Sequence, residues 1–64
     1  MKDYLGLTKE QAMELAAAQG RTYEWHEATE LEDAWLEVST MEAGAALEFD
    51  GEDTVQEYVY LDWL

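Results

Sequence analysis

The spacing of apolar residues near the start of the chain predicts one amphipathic helix. Thr8 suits an N-cap, because its hydroxyl can accept from the backbone N–H of Gln11 while the Gln11 side chain reaches back. Gly20 suits the left-handed residue that commonly follows a helix. Between them, one helix face is formed at i, i+3, i+4 and i+7 by Ala12, Leu15, Ala16 and Gln19. We therefore expect a helix over residues 9–19 whose small residues allow close packing on a sheet.

Beyond Gly20 the period of apolar residues shortens to two, which is typical of strands with one buried face. The alternating runs are residues 21–27, 34–40, 45–50 and 54–61. Asp50 and Gly51 indicate a hairpin turn before the last run, because glycine readily takes the positive φ that such a turn requires. The predicted fold class is α+β: a single domain, residues 1–64, in which one N-terminal helix packs on a four-stranded, mainly antiparallel sheet.

Alternation is imperfect in the last run. Val55, Val59 and Leu61 share a face with Glu57 if the strand is regular. A β-bulge or a position at the sheet edge would resolve this, and the sequence leaves both open.

The two faces of the predicted sheet differ in chemistry. The face expected to contact the helix carries Tyr23, Trp25, Leu36, Val38, Leu47 and Phe49. The opposite face is expected to carry Glu24, His26, Trp35, Glu37, Glu48, Asp50, Tyr58 and Tyr60. A solvated antiparallel face is usually polar, so this mixture needs a reason. The aromatics could stabilise the sheet as cross-strand pairs, anchor a basic partner within a charged rim, or bury against a second copy in a homodimer.

Charge narrows the class of partner. Three Lys and Arg residues against 16 Asp and Glu residues give a net charge of −13, and no Lys or Arg follows Arg21. A hydrophobic content of 48% separates the chain from a disordered acidic tail. The negative surface excludes nucleic acid and anionic membranes as direct partners, which leaves a basic protein surface. The alternative is a salt-adapted domain whose charge serves solubility alone.

The sequence contains few side chains suited to catalysis or to metal binding. The chain has a single Ser (Ser39), a single His (His26) and no Cys, so no set of nucleophile, base and orienting group is available and we expect no enzyme. His26 lacks a second His or Cys for zinc, and Gly51 falls at the wrong position for an EF-hand, so no metal and no cofactor are expected. No apolar run approaches the ~18 residues that span a bilayer and no signal-peptide pattern is present, which predicts the cytoplasm, or a host cytoplasm if a phage encodes the chain.

The order of the first motifs resembles small bacterial inhibitors of the potato inhibitor I type. The similarity is carried by Gly6-Leu7-Thr8, by the helix alanines Ala12 and Ala16, and by Asp50-Gly51 near the end. It implies a serine protease inhibitor in which an extended loop between two strands enters the protease cleft. The matching loop here would be residues 38–45.

Size and charge also resemble the DNA-mimic proteins that phages use against restriction and CRISPR systems. The similarity implies an inhibitor that occupies the basic groove of a nucleic-acid-binding protein. The residues expected to bind the partner are Glu24, Glu37, Glu48, Asp50, Glu52 and Asp53 for charge, with Trp35 and Tyr58 as anchors. This acidic inhibitor is the function that the sequence favours, with the protease inhibitor and the salt-adapted domain as alternatives.

Overall fold

One α-helix and a four-stranded antiparallel sheet make up the fold in a computed structural model that describes residues 2–41, 43–49, 51 and 53–62. After a 3₁₀ helix (Lys2–Tyr4) come α1 (Lys9–Ala18), β1 (Thr22–His26), β2 (Trp35–Ser39), β3 (Ala43–Glu48) and β4 (Glu57–Asp62). The strands pair antiparallel in the order β1-β2-β3-β4. The predicted α+β class is therefore confirmed. Within the described ranges, no helix is long and apolar enough to cross a membrane.

The start and the end of α1 follow from local chemistry. The Gln11 backbone N–H donates to Thr8 Oγ1 at 3.2 Å, and the Thr8 N–H donates to Gln11 Oε1 at 2.9 Å, which completes the predicted capping box. Gly20 takes a φ of +73° just past the helix, a conformation that side chains with a Cβ disfavour. The helix ends at Ala18, within one residue of the prediction.

The core lies between α1 and one face of the sheet, which we call the helix side. The helix contributes two fully buried small residues, Ala12 and Ala16. The rest of the buried cluster is formed by Tyr4, Leu36, Val38, Leu47, Phe49 and Val55. Alanine leaves little side chain between helix and sheet, so the helix can lie close to the strands, as the sequence predicted.

Tyr4 is the one polar-tipped side chain in this buried cluster. It is 1% exposed, and its hydroxyl donates to Gln19 Oε1 at 2.8 Å. Burial raises the pKa of the Tyr4 hydroxyl, an effect that Arg21 opposes and Asp3 reinforces. The neutral phenol is therefore the form that the fold favours.

The connection between β2 and β3 is a tight hairpin, which corrects two predictions. β3 begins at Ala43, two residues earlier than expected, and Ser39 already pairs with Gly44. The Thr40 N–H donates to the Ala43 carbonyl at 2.8 Å, so the turn is closed by hydrogen bonding. The segment 38–45 is therefore mostly paired strand and not the extended loop that the potato-inhibitor resemblance implied. Small residues at positions 43–46 carry a weak strand signal, which is why the sequence placed the strand too late.

The last strand also differs from its prediction. β4 begins at Glu57 and not at residue 54, and Gln56 donates its N–H at 2.8 Å to the Glu48 carbonyl although Glu57 is the register partner of Glu48. The regular alternation breaks at this point, so Val55 is buried in the core while Glu57 lies on the opposite face. β4 is an edge strand, which is one of the two explanations left open by the sequence.

The face of Tyr58 and Tyr60 was predicted wrongly. Residues directly opposite each other in an antiparallel pair share a face. Tyr58 pairs with the buried Leu47 and Tyr60 with the buried Ala45, so both tyrosines lie on the helix side and not on the outer face. Their rings contact edge to face, with centroids 5.6 Å apart.

The segment that precedes β4 is tied to the start of the chain. Gly51 has the positive φ expected of it, +79°, while Asp50 and Glu52 of the predicted turn lie outside the described residues. Farther on, the Val55 N–H donates to the Leu7 carbonyl at 2.8 Å, and the Gly6 N–H donates to the Val55 carbonyl at 2.9 Å. These bonds hold the segment beside the N-terminus of α1.

Candidate functional site

The candidate site is the outer face of the sheet, the side away from α1. Besides Thr22, Ser39 and Gly44, the register places on it a set of charged, aromatic and aliphatic residues: Glu24, His26, Trp35, Glu37, Ala46, Glu48, Glu57, Val59 and Leu61. The second set makes up the site. Four of these residues are glutamates and three are aliphatic, beside one histidine and one tryptophan. Charge and apolar surface therefore lie next to each other on one rigid scaffold.

The glutamates form two cross-strand pairs, offset from each other by two residues along the strands, which together we call the acidic stripe: Glu24 of β1, Glu37 of β2, Glu48 of β3 and Glu57 of β4. Each strand contributes one carboxylate. Glu24 is directly opposite Glu37, and Glu48 is directly opposite Glu57. Like charges directly opposite each other destabilise a sheet, and no Lys or Arg lies within any of its strands to offset this. The fold therefore tolerates an unfavourable charge arrangement on this face.

An aromatic stack borders the stripe. The imidazole of His26 lies parallel to the indole of Trp35, with centroids 4.0 Å apart and an interplanar angle of 8°. The same imidazole directs Nε2 toward Glu37 Oε1 at 3.3 Å and Glu24 Oε2 at 3.6 Å. The stack holds the ring against the sheet, so these two carboxylates meet a nitrogen whose position is restricted.

An apolar groove of about 420 Å³ lies on the other side of the stripe. Its lining is formed by Leu31, Glu32, Asp33, Ala34, Trp35, Ala46, Glu48, Val59 and Leu61. Val59 is 50% exposed and Leu31 is 94% exposed, so both present apolar surface to the solvent. The groove thus combines exposed aliphatic side chains with acids at its margin.

The connection between β1 and β2 presents Leu31 in a defined turn. Thr29 Oγ1 accepts from the backbone N–H groups of Leu31 at 3.2 Å and Glu32 at 3.1 Å. The Thr29 N–H in turn donates to the Glu32 carbonyl at 2.8 Å. Leu31 is therefore held away from the core by local hydrogen bonds, with Glu30 and Glu32 on either side.

The residues predicted to bind a partner are only partly brought together. Glu24, Glu37, Glu48 and Trp35 share the outer face. Tyr58 is on the helix side, so it cannot act as an anchor beside them. Asp53 is exposed elsewhere, and Asp50 and Glu52 lie outside the described residues.

Asp53 lines a second cavity, of about 650 Å³, at the N-terminal end of α1. Trp25 and Phe49 form its apolar wall, with ring centroids 5.5 Å apart and nearly perpendicular planes. Lys9 Nζ lies 4.1 Å from the centroid of Trp25, so a cation covers this indole. The lining of this cavity therefore holds one lysine beside three acids, Glu10, Asp33 and Asp53.

Sequence reasoning missed Glu57, Val59, Leu61 and Leu31 as parts of the site. The first three were obscured by the break in alternation near Gln56, for which the imperfect alternation of the last run was the usable signal. Leu31 had a usable signal, since it is a lone aliphatic residue in an acidic connection.

Ser39 and His26, the one possible nucleophile and the one possible base of conventional type, do not meet. Ser39 pairs with Thr22, and its Oγ lies 3.0 Å from Thr22 Oγ1. His26 is four residues farther along β1, about 13 Å at the usual strand rise. The two side chains therefore lie on separate parts of the sheet.

Comparisons of the chain with protein-family models, with curated proteins and with solved structures found no match.

Proposed function

We propose that the protein is a small acidic inhibitor that docks its outer face into the basic groove of a nucleic-acid-binding protein. The observation that carries the proposal is the acidic stripe, in which each strand of the sheet places one glutamate on the same face. A rigid array of like charges lowers the stability of the fold through the repulsion between its members. Binding to a cationic surface would offset that cost.

The spacing of the stripe suits a phosphate-binding surface. Neighbouring strands lie about 4.8 Å apart, so the stripe spans roughly 14 Å across the four strands, with its second glutamate pair offset by about 6.6 Å along them. Over about 14 Å of helix axis, one strand of duplex DNA presents about four phosphates. The stripe thus presents as many charges as one DNA strand over the same length.

The apolar groove supplies what a charge array alone lacks. Complementary charges mainly accelerate association and select the partner, whereas buried apolar and aromatic side chains contribute most of the affinity. Leu31, Val59 and Trp35 border the stripe, two of them substantially exposed. A partner protein that has both a basic groove and exposed apolar side chains would therefore bind this face more tightly than a flexible polycation.

The proposal is tested by competition with duplex DNA. A labelled duplex is bound to a purified restriction endonuclease, a CRISPR nuclease or a histone-like protein, and its displacement by this protein is followed by fluorescence anisotropy. We expect displacement from at least one of them, weakening steeply as salt increases.

A matched pair of variants identifies the face. Glu48→Gln with Glu57→Gln removes two charges from the stripe, whereas Glu10→Gln with Glu14→Gln removes two exposed charges from α1. The first pair should weaken competition about tenfold or more, at about 1.5 kcal/mol for two charged contacts, and the second should leave it nearly unchanged. Equal effects of the two pairs would show that total charge matters and not the outer face, which is the behaviour of a salt-adapted domain.

A further inference from the structure

We propose that Glu24, His26 and Glu37 form a binding site for one divalent transition-metal ion of the zinc type. The three side chains come from two neighbouring strands and converge on the outer face. One candidate ligand atom from each lies within 4.8 Å of the other two. The inference stands independently of the proposed docking function, because it concerns an ion and uses only two residues of the stripe.

The distances suit a tetrahedral ion. Zinc binds imidazole nitrogen and carboxylate oxygen at about 2.0–2.2 Å, which places two ligand atoms of a tetrahedron about 3.4 Å apart. His26 Nε2 lies 3.3 Å from Glu37 Oε1 and 3.6 Å from Glu24 Oε2. Small rotations of the carboxylates would complete the triangle, and the exposed side of Glu24, 71% accessible, leaves a fourth position for water.

The ring that supplies the nitrogen is already oriented. Stacking on Trp35 fixes the plane of His26 and limits the rotation of its side chain, so little conformational freedom is lost when an ion binds. This preorganisation is independent of the acidity of the surface. It distinguishes the cluster from a mere accumulation of carboxylates.

Charge also favours an ion here. Glu24 and Glu37 are directly opposite each other, and Glu37 is only 22% accessible, so its charge is poorly screened by water. With a neutral imidazole the cluster carries two negative charges, which one divalent ion would neutralise. The nitrogen ligand favours zinc, cobalt or nickel over calcium and magnesium, which prefer oxygen ligands alone.

The sequence predicted no metal because His26 lacks a second His or Cys for zinc. Glu37 is eleven residues away along the chain and reaches the cluster through the β1–β2 register. The third ligand is therefore a consequence of strand pairing, which chain order does not reveal.

The first test is calorimetric titration of the full chain with Zn²⁺ in excess Mg²⁺, which saturates non-specific acidic sites. We expect one Zn²⁺ per chain, with affinity reduced at least about tenfold in His26→Gln and in Glu24→Gln, as is usual when a metal site loses an important group. Glu57→Gln is the matched control for Glu24→Gln, because it removes the same charge from the same face without touching the cluster. Circular dichroism confirms that the variants remain folded.

The second test locates the ion by nuclear magnetic resonance. Paramagnetic Ni²⁺ should broaden the His26 ring and the Trp35 indole strongly and leave the Trp25 indole, which packs against the core on the helix side, much sharper. Equal affinity in His26→Gln and Glu57→Gln, equal broadening of the two indoles, or displacement of Zn²⁺ by Mg²⁺ in simple proportion would overturn the site.

Discussion

Glu57 stands directly opposite Glu48 on the outer face, one on the edge strand β4 and the other on its neighbour β3. Neither strand contains a Lys or an Arg, so neither strand supplies a cation to this like-charged pair. The free-energy cost of this like-charged pair can be measured directly.

Replacing Glu57 by Lys should stabilise the protein. The substitution turns a like-charged cross-strand pair into an opposite-charged one, which is worth about 0.5–2 kcal/mol at low salt. The measurement is urea unfolding at low and at high salt, and the gain should shrink as salt screens the pair. Glu14→Lys on the exposed side of α1 makes the same change in net charge, so an equal gain there would assign the effect to total charge.

The stack of His26 on Trp35 should couple the two residues energetically. A double-mutant cycle with His26→Gln and Trp35→Leu should give a coupling free energy of about 0.5–1.5 kcal/mol, the range measured for aromatic pairs. The cycle is measured by urea unfolding in the presence of a chelator, so that metal binding does not contribute. A coupling near zero would mean that the parallel rings, 4.0 Å apart, do not stabilise each other.

Removing the hydroxyl of Tyr4 should lower the free energy of unfolding and change how that free energy depends on pH in the alkaline range. Tyr4→Phe loses the bond to Gln19, worth about 1 kcal/mol. Because the folded state raises the pKa of Tyr4, the unfolded chain releases this proton first, from about pH 10. The stability that the neutral phenol contributes is therefore complete below that pH and is lost as the pH rises through the folded pKa.

Thermal unfolding between neutral and alkaline pH measures this effect. The wild-type protein should lose more stability than Tyr4→Phe over the alkaline range. Tyr23→Phe is a suitable control, because Tyr23 is 46% exposed and lacks comparable burial. An identical alkaline loss in both variants would remove the role assigned to Tyr4.

Enlarging the contact between α1 and the sheet should be costly. Ala16 is fully buried, so Ala16→Leu forces side chains apart and should lower the free energy of unfolding by about 1–3 kcal/mol. The neighbouring Ala17 is exposed, and Ala17→Leu should change stability by less than about 0.5 kcal/mol. Urea unfolding of the two variants provides the comparison, and equal values would mean that the helix does not pack closely.

Local chemistry accounts for the parts of the fold that the sequence predicted well. The Thr8–Gln11 capping box and Gly20 define α1 within one residue, since all three act on the backbone nearest to them. Strands β1 and β2 follow from strong alternation of aromatic, aliphatic and charged residues. The positive φ of Gly51 was likewise predicted from residue type alone.

The errors arise where pairing overrides local preference. Ala43 and Gly44 are poor strand formers, yet β3 begins there because both pair with β4. Tyr58 faces the core because the break near Gln56 reverses the alternation, and a reversal of one position exchanges the two faces of a strand. The contact of Glu37 with His26 depends on another strand register, that of β1 with β2. This dependence explains why the sequence did not predict the candidate metal site.

Among the described residues, β1 and β4 are the edge strands of the sheet, because each pairs with only one neighbouring strand. Each edge strand carries a glutamate of the acidic stripe. Extending the sheet into another molecule would bring Glu24 or Glu57 of one copy beside the acids of the next. The repulsion between these carboxylates therefore opposes edge-to-edge association of copies into fibres.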